Sequence, residues 1–100
     1  MDAKQFHDIS VSFLADAQQR LEGKGKEYNL SSDRYDQLIK QADLNGITVE
    51  EVISVLMTKH IVMLCNNNHE MTYGEFKERA LDVIAYLCLI NGCYKEAENL

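Results

Sequence analysis

The stretch ALDVIAYLCLI, Ala80 to Ile90, decides the fold, because Asp82 is its only charged residue among ten neighbours that are apolar or, at Tyr86, amphipathic. A helix this apolar must be covered on most sides, and a charge inside it must find a partner there. Val52 to Cys65, VISVLMTKHIVMLC, has the same character, with Lys59-His60 as its strongly polar insert. Both stretches therefore belong at the centre of the assembly.

The flanking sequence supplies further helices and their punctuation. From Asp2 to Glu22, Phe6, Ile9, Phe13, Ala17 and Leu21 recur at helical spacing, with Gln5, Asp8, Ser12, Asp16, Gln19 and Arg20 largely on the opposite face. This predicts a first helix over about 3–22. The run GKGKEYNLSS from Gly23 reads as a basic loop whose Ser31 or Ser32 caps a second helix. That helix spans about 33–44, turns Tyr35, Leu38, Ile39 and Ala42 inward, and stops at Asn45-Gly46. Thr48 with Glu51 and Thr72 with Glu75 are capping boxes that open a third helix at about 49–65 and a fourth at about 73–90. Asn91-Gly92 reads as the final stop before a short tail, 91–100. The chain is thus predicted to be a single all-α domain over residues 1–100, a four-helix bundle without strands or internal repeats.

Length and charge exclude several classes of function. The 100 residues form a small core, and no uncharged run approaches the roughly 20 residues that span a bilayer. MDAKQFHDIS has no apolar core of a secretory signal, which points to the cytoplasm. A net charge of −6, with Lys24-Gly-Lys26 the sole basic cluster, argues against a nucleic-acid partner. Cys65, Cys88 and Cys93 are odd in number and lack zinc spacing, so reduced and mostly buried thiols are expected.

The polar inserts are where chemistry would sit. Val49, Val52, Ile53, Leu56, His60, Met63 and Leu64 share one helical stripe, so His60 lies within an apolar face. It reads either as a neutral core histidine or as a ligand-binding group. Lys59 falls at the rim, its stem over apolar surface and its ammonium wet. Glu75, Glu78, Asp82 and Tyr86 form a stripe along the fourth helix. Their mutual repulsion suits a solvated face, with Asp82 paired to a neighbouring helix, or a hard cation such as Mg²⁺. Glu50-Glu51 serve either the start of a helix or such a cation. Glu27, beside two lysines in a glycine-flanked segment, could present both charge signs to a phosphorylated ligand.

Taken together, Lys26-Glu27-Tyr28, Asp33-Arg34, Ala42 to Thr48, Lys59 to Val62, and Glu78-x-x-x-Asp82-x-x-x-Tyr86 resemble a small phage and prophage family. That family is related to the nucleotide modification associated domain and, more distantly, to MazG-like all-α nucleotide pyrophosphohydrolases. The similarity covers roughly residues 23–90. It implies a MazG-like bundle completed by oligomerisation, as a homodimer or larger, with a nucleotide-related role. The implied ligand contacts are Lys26, Glu27, Arg34, Lys59, His60 and Tyr86, and the implied Mg²⁺ ligands are Glu50, Glu51, Glu78 and Asp82. Ser54 and Arg79 stand where the MazG-like motif has glutamates.

Three functions follow as expectations. The first is a phage-type nucleotide-binding protein that sequesters a nucleotide-derived signal or acts on nucleotide pools. The second is a Mg²⁺-dependent nucleoside triphosphate pyrophosphohydrolase. The third is an interaction module for a host protein, motivated by second apolar faces at Val55, Ile61 and Val62 and at Leu81, Ala85, Cys88 and Leu89.

Overall fold

The computed structural model describes residues 1–28, 35–67 and 70–98. Among them the chain forms four α-helices and no strand: α1 Ala3–Tyr28, α2 Asp36–Asn45, α3 Val49–Asn67 and α4 Tyr73–Glu98. None is long and apolar enough to cross a membrane. The all-helical reading holds, but two boundaries move. α1 continues through Gly23 and Gly25 to Tyr28, although each glycine costs about 1 kcal/mol inside a helix. Ser31 and Ser32, expected as caps, lie outside the described residues.

α4 likewise runs past Asn91-Gly92 to Glu98. Gly92 is a notch rather than a stop: Tyr35 reaches from the start of α2, and its hydroxyl donates to the Leu89 carbonyl at 2.8 Å. A Cβ on Gly92 would overlap that hydroxyl.

The expected caps between elements form. Gly46 takes the left-handed conformation (φ 65°), and its amide and that of Ile47 close α2 onto Asp43 and Ala42. The Thr48 hydroxyl accepts from the Glu51 amide at 3.1 Å while Glu51 accepts back from Thr48. α3 therefore begins within three residues of the end of α2, and the two pack against each other. At α4, the Thr72 hydroxyl accepts from the Glu75 amide at 3.2 Å.

α3 and α4 run antiparallel, with His60 beside Arg79 and Asp82 at one end and Glu50 near Cys93 at the other. Their interface with α2 holds the core of Leu38, Ala42, Val52, Ile53 and Tyr86. α1 packs on α4 through Ala17, flanked by ion pairs of Asp16 with Lys77 and of Arg20 with Glu78 and Asp82. The packing order is α1–α4–α3–α2, and no extensive α1–α2 contact closes a ring among the described residues.

This open order accounts for several departures from the sequence reading. α4 is covered on two sides, by α1 and α3, so Leu81 and Ala85 are buried rather than outward, and Leu89 packs on the core. Cys65 and Cys88, expected to be buried, are exposed, on sides of α3 and α4 that no other helix covers among the described residues. Ile39 is half-exposed on the outer side of α2. Phe6 and Ile9 are exposed because the first half of α1 extends past its contact with α4.

Gly92→Ala should destabilise the chain by about 1–3 kcal/mol through overpacking, although the same change in an ordinary helix interior gains about 1 kcal/mol. Thermal melts of G92A, Y35F and the double variant check this. The double variant should lose less than the sum of the two single losses, since both alter one contact.

Candidate functional site

Asp82 is the organising group. Its side chain is only 14% exposed on an apolar helix, so its charge requires a counter-charge within the fold. Arg20 supplies it from α1, with Nη1 donating to Asp82 Oδ1 at 2.9 Å and Nη2 to Glu78 Oε2 at 2.8 Å. The planar guanidinium spans two carboxylates one helical turn apart and relieves their mutual repulsion. The Glu78 hydrogen bond, with help from Asp82, raises the Arg20 pKa further above its ordinary value against the opposing effect of burial. Arg20 thus stays cationic throughout the working pH range.

The second carboxylate oxygen of Asp82 faces α3, where His60 Nε2 lies 3.7 Å from Oδ2. The other ring nitrogen, Nδ1, is 3.3 Å from Arg79 Nη1. A guanidinium can only donate, so Nδ1 must accept, and the neutral imidazole carries its proton on the nitrogen facing Asp82. The His60 ring sits 5.8 Å from that of Tyr86, which closes the polar cluster on its core side. The His60 ring thus lies between Asp82, 3.7 Å away on one side, and Arg79 on the other.

Arg79 lines a cleft of about 590 Å³, together with Met63, Glu70, Met71, Glu75, Glu78 and Asp82. That volume lies within the range of small-molecule sites, roughly 300–1,000 Å³. Arg79 pairs with no carboxylate among the described residues, its one hydrogen bond there going to the His60 ring. The acidic stripe of α4 thus runs from solvent at Glu75 to the core at Tyr86, and Arg79 interrupts it from the side.

Of the residues singled out by sequence, His60, Glu78, Asp82 and Tyr86 come together here. Lys59 is exposed one position along α3, about 100° around the helix from His60. Glu50 and Glu51 are exposed at the start of α3, about 15 Å along the helix from His60. The four carboxylates proposed for Mg²⁺ therefore do not converge, and no group of three His, Cys, Asp or Glu that could hold a metal ion exists among the described residues. The side chains of Lys26 and Glu27, and all of Arg34, lie outside the described residues. Glu50 lies instead beside Cys93. Burial raises the pKa of that thiol, and the Glu50 and Glu96 carboxylates add to the effect.

Two site residues escaped the sequence reading. Arg20 counted as part of a solvated face, and Arg79 figured only as a departure from a motif. The available signal was Asp82 itself, which demanded a cation. Spacing alone could not say which of the 10 Lys and Arg residues would answer it.

Arg20→Ala should lower stability by about 1–3 kcal/mol, the range for leaving a largely buried carboxylate unpaired, reduced here by its residual exposure. Arg20→Lys should recover only part, since one ammonium cannot span both carboxylates. Chemical denaturation of both variants checks this. In a second test, Cys93 should react with iodoacetamide at pH 7.5 more slowly than exposed Cys65, because its thiolate is disfavoured. Site-resolved mass spectrometry reads the rates.

No protein-family model, no curated protein and no solved structure matches this chain, so the reading of the site rests on its own residues and distances.

Proposed function

We propose that the chain is a small nucleotide-binding protein of phage type, on a MazG-like helical scaffold. In the cytoplasm of a bacterial host it would hold a nucleotide-derived signal or manage nucleotide pools. The observation that carries this reading is Arg79, a cleft-lining cation held by His60 and without a carboxylate partner among the described residues. Phosphate is the natural ligand of such a guanidinium, which it can accept in a bidentate fashion. Met63 and Met71 on the same cleft are soft and adaptable and suit the flat face of a base.

The charge balance narrows the ligand. Arg20 offsets one of the two negative charges of Glu78 and Asp82, and with Glu70 and Glu75 the cleft keeps an acidic rim that repels a bare phosphate. Mg²⁺ is commonly held by one or two carboxylates together with ligand phosphates, and a nucleotide carrying its Mg²⁺ would turn that rim from a barrier into a contact. A di- or triphosphate with Mg²⁺ is therefore favoured over a monophosphate.

Hydrolysis is the weaker reading. Pyrophosphohydrolysis by two metals requires carboxylates clustered around ions about 4 Å apart. Here Glu78 and Asp82 are engaged with Arg20, and Glu50 and Glu51 stand about 15 Å away along α3.

A melting-temperature panel of mono-, tri- and cyclic nucleotides, each with and without Mg²⁺, tests the proposal. A ligand at 100 times its Kd adds about 2.7 kcal/mol, on the order of 10 °C for a domain of this size. Arg79→Ala should abolish the shift without loss of helicity. A flat panel would overturn the nucleotide reading, retained affinity in R79A would overturn the site, and release of pyrophosphate would restore the enzyme.

A further inference from the structure

Two side chains serve both as walls of the cleft and as the anchor of α1. Glu78 and Asp82 line the cleft. Each also accepts from one nitrogen of Arg20, at 2.8 and 2.9 Å respectively. Arg20 is not itself a lining residue, so it acts on a ligand through those carboxylates.

α1 has few other holds on the fold. Ala17 is its one buried side chain among the described residues, and Asp16 pairs with Lys77, the neighbour of Glu78 in sequence. An element with so few buried contacts is drawn from the low-stability end of a structure, where a small difference in free energy shifts its population. That difference is present at the cleft. With α1 docked, Arg20 offsets one charge of the Glu78 and Asp82 walls. With α1 undocked, the same walls carry one more uncompensated negative charge. An anion therefore binds the docked form more tightly, and a ligand shifts an equilibrium only through such differential affinity.

We propose that docking of α1 and anion binding in the cleft are coupled, so that α1 is a regulatory arm of the site and Arg20 its positioning residue. The coupling rests on the nucleotide-binding reading of the cleft and adds to it a direction. Occupancy of the cleft tightens α1 on α4, and displacement of α1 weakens the cleft. Linkage makes both effects the same factor, commonly about 5- to 150-fold. Asp16 and Lys77 offer the means to alter docking, since neither lines the cleft.

Hydrogen–deuterium exchange of the full chain, with and without saturating ATP and Mg²⁺ at matched ionic strength, reads the first effect. Amides of residues 16–22 should slow about fivefold or more with ATP, and by more than those of α2. Calorimetric titration with the same probe reads the second. Asp16→Lys sets two lysines against each other and displaces α1, seen as faster exchange of residues 16–22, and should weaken ATP binding about fivefold or more. The added positive charge by itself would strengthen binding of an anion, so a loss reports the displacement of α1. Combining Asp16→Lys with Lys77→Glu rebuilds the pair in reverse and should restore affinity, which a general loss of folding would not allow. A wild type that binds no ATP overturns the triphosphate reading and the coupling with it. A wild type that binds ATP while residues 16–22 slow no more than α2 overturns the coupling alone. So does full affinity in a D16K chain whose α1 exchanges faster.

Discussion

One charge governs how this fold is put together. Asp82 lies within the apolar run Ala80 to Ile90 of α4, where an unpaired carboxylate would be protonated or expelled. Arg20, 62 residues away, answers it and binds Glu78 with its second nitrogen. Because a guanidinium is flat and its donors are fixed, two carboxylates one turn apart set both the height and the rotation of α1 against α4. Asp82 then faces His60, and His60 takes its hydrogen bond from Arg79. The polar site is thus the same object as the joint between α1, α3 and α4. A group that resolves a folding problem also fixes Arg79, which borders the cleft without a carboxylate partner among the described residues.

The remainder is held by small residues and well-made helix ends. Ala17, Ala42 and Ala85 are buried where helices meet, and their short side chains let backbones approach. Gly92 extends the same device to a single ring by receiving Tyr35. The Gly46 and Thr48 caps confine the chain between α2 and α3 to a sharp reversal, which fixes how Leu38 and Ala42 meet Val52 and Ile53. Among the described residues only Ile53 is wholly buried of the large side chains, so the core is thin and its geometry relies on these local constraints.

Local rules made most of the fold legible. Helical periodicity, the two Thr-x-x-Glu boxes and Asn-Gly after α2 all rest on interactions within a few residues, and each recurs in the structure. Gly23, Gly25 and Gly92 misled for one reason: glycine lowers helix propensity by an amount that position and packing can outweigh. At Gly92 the decisive neighbour, Tyr35, is remote in sequence. The site was legible by half for the same reason. His60, Glu78, Asp82 and Tyr86 fall on stripes that periodicity reveals, whereas Arg20 and Arg79 owe their roles to which helix lies alongside. The lesson extends to surface: Leu81 and Ala85 look outward on a helical wheel until α1 covers them.

The joint at Arg20 also decides where the single chain gives way first. α2, α3 and α4 are contiguous in sequence and share the apolar core, while α1 is joined chiefly to α4, by Ala17 and a few ion pairs. Local unfolding begins where apolar contacts are fewest, so the lowest-energy excursion is the detachment of α1 from α4. Dissolved salt screens charges beyond a Debye length of about 8 Å at physiological strength and weakens the more exposed of these pairs. Ionic strength therefore acts as a dial on the docking of α1. When that helix departs, Asp82 is hydrated and its hold on His60 and Arg79 loosens in the same event.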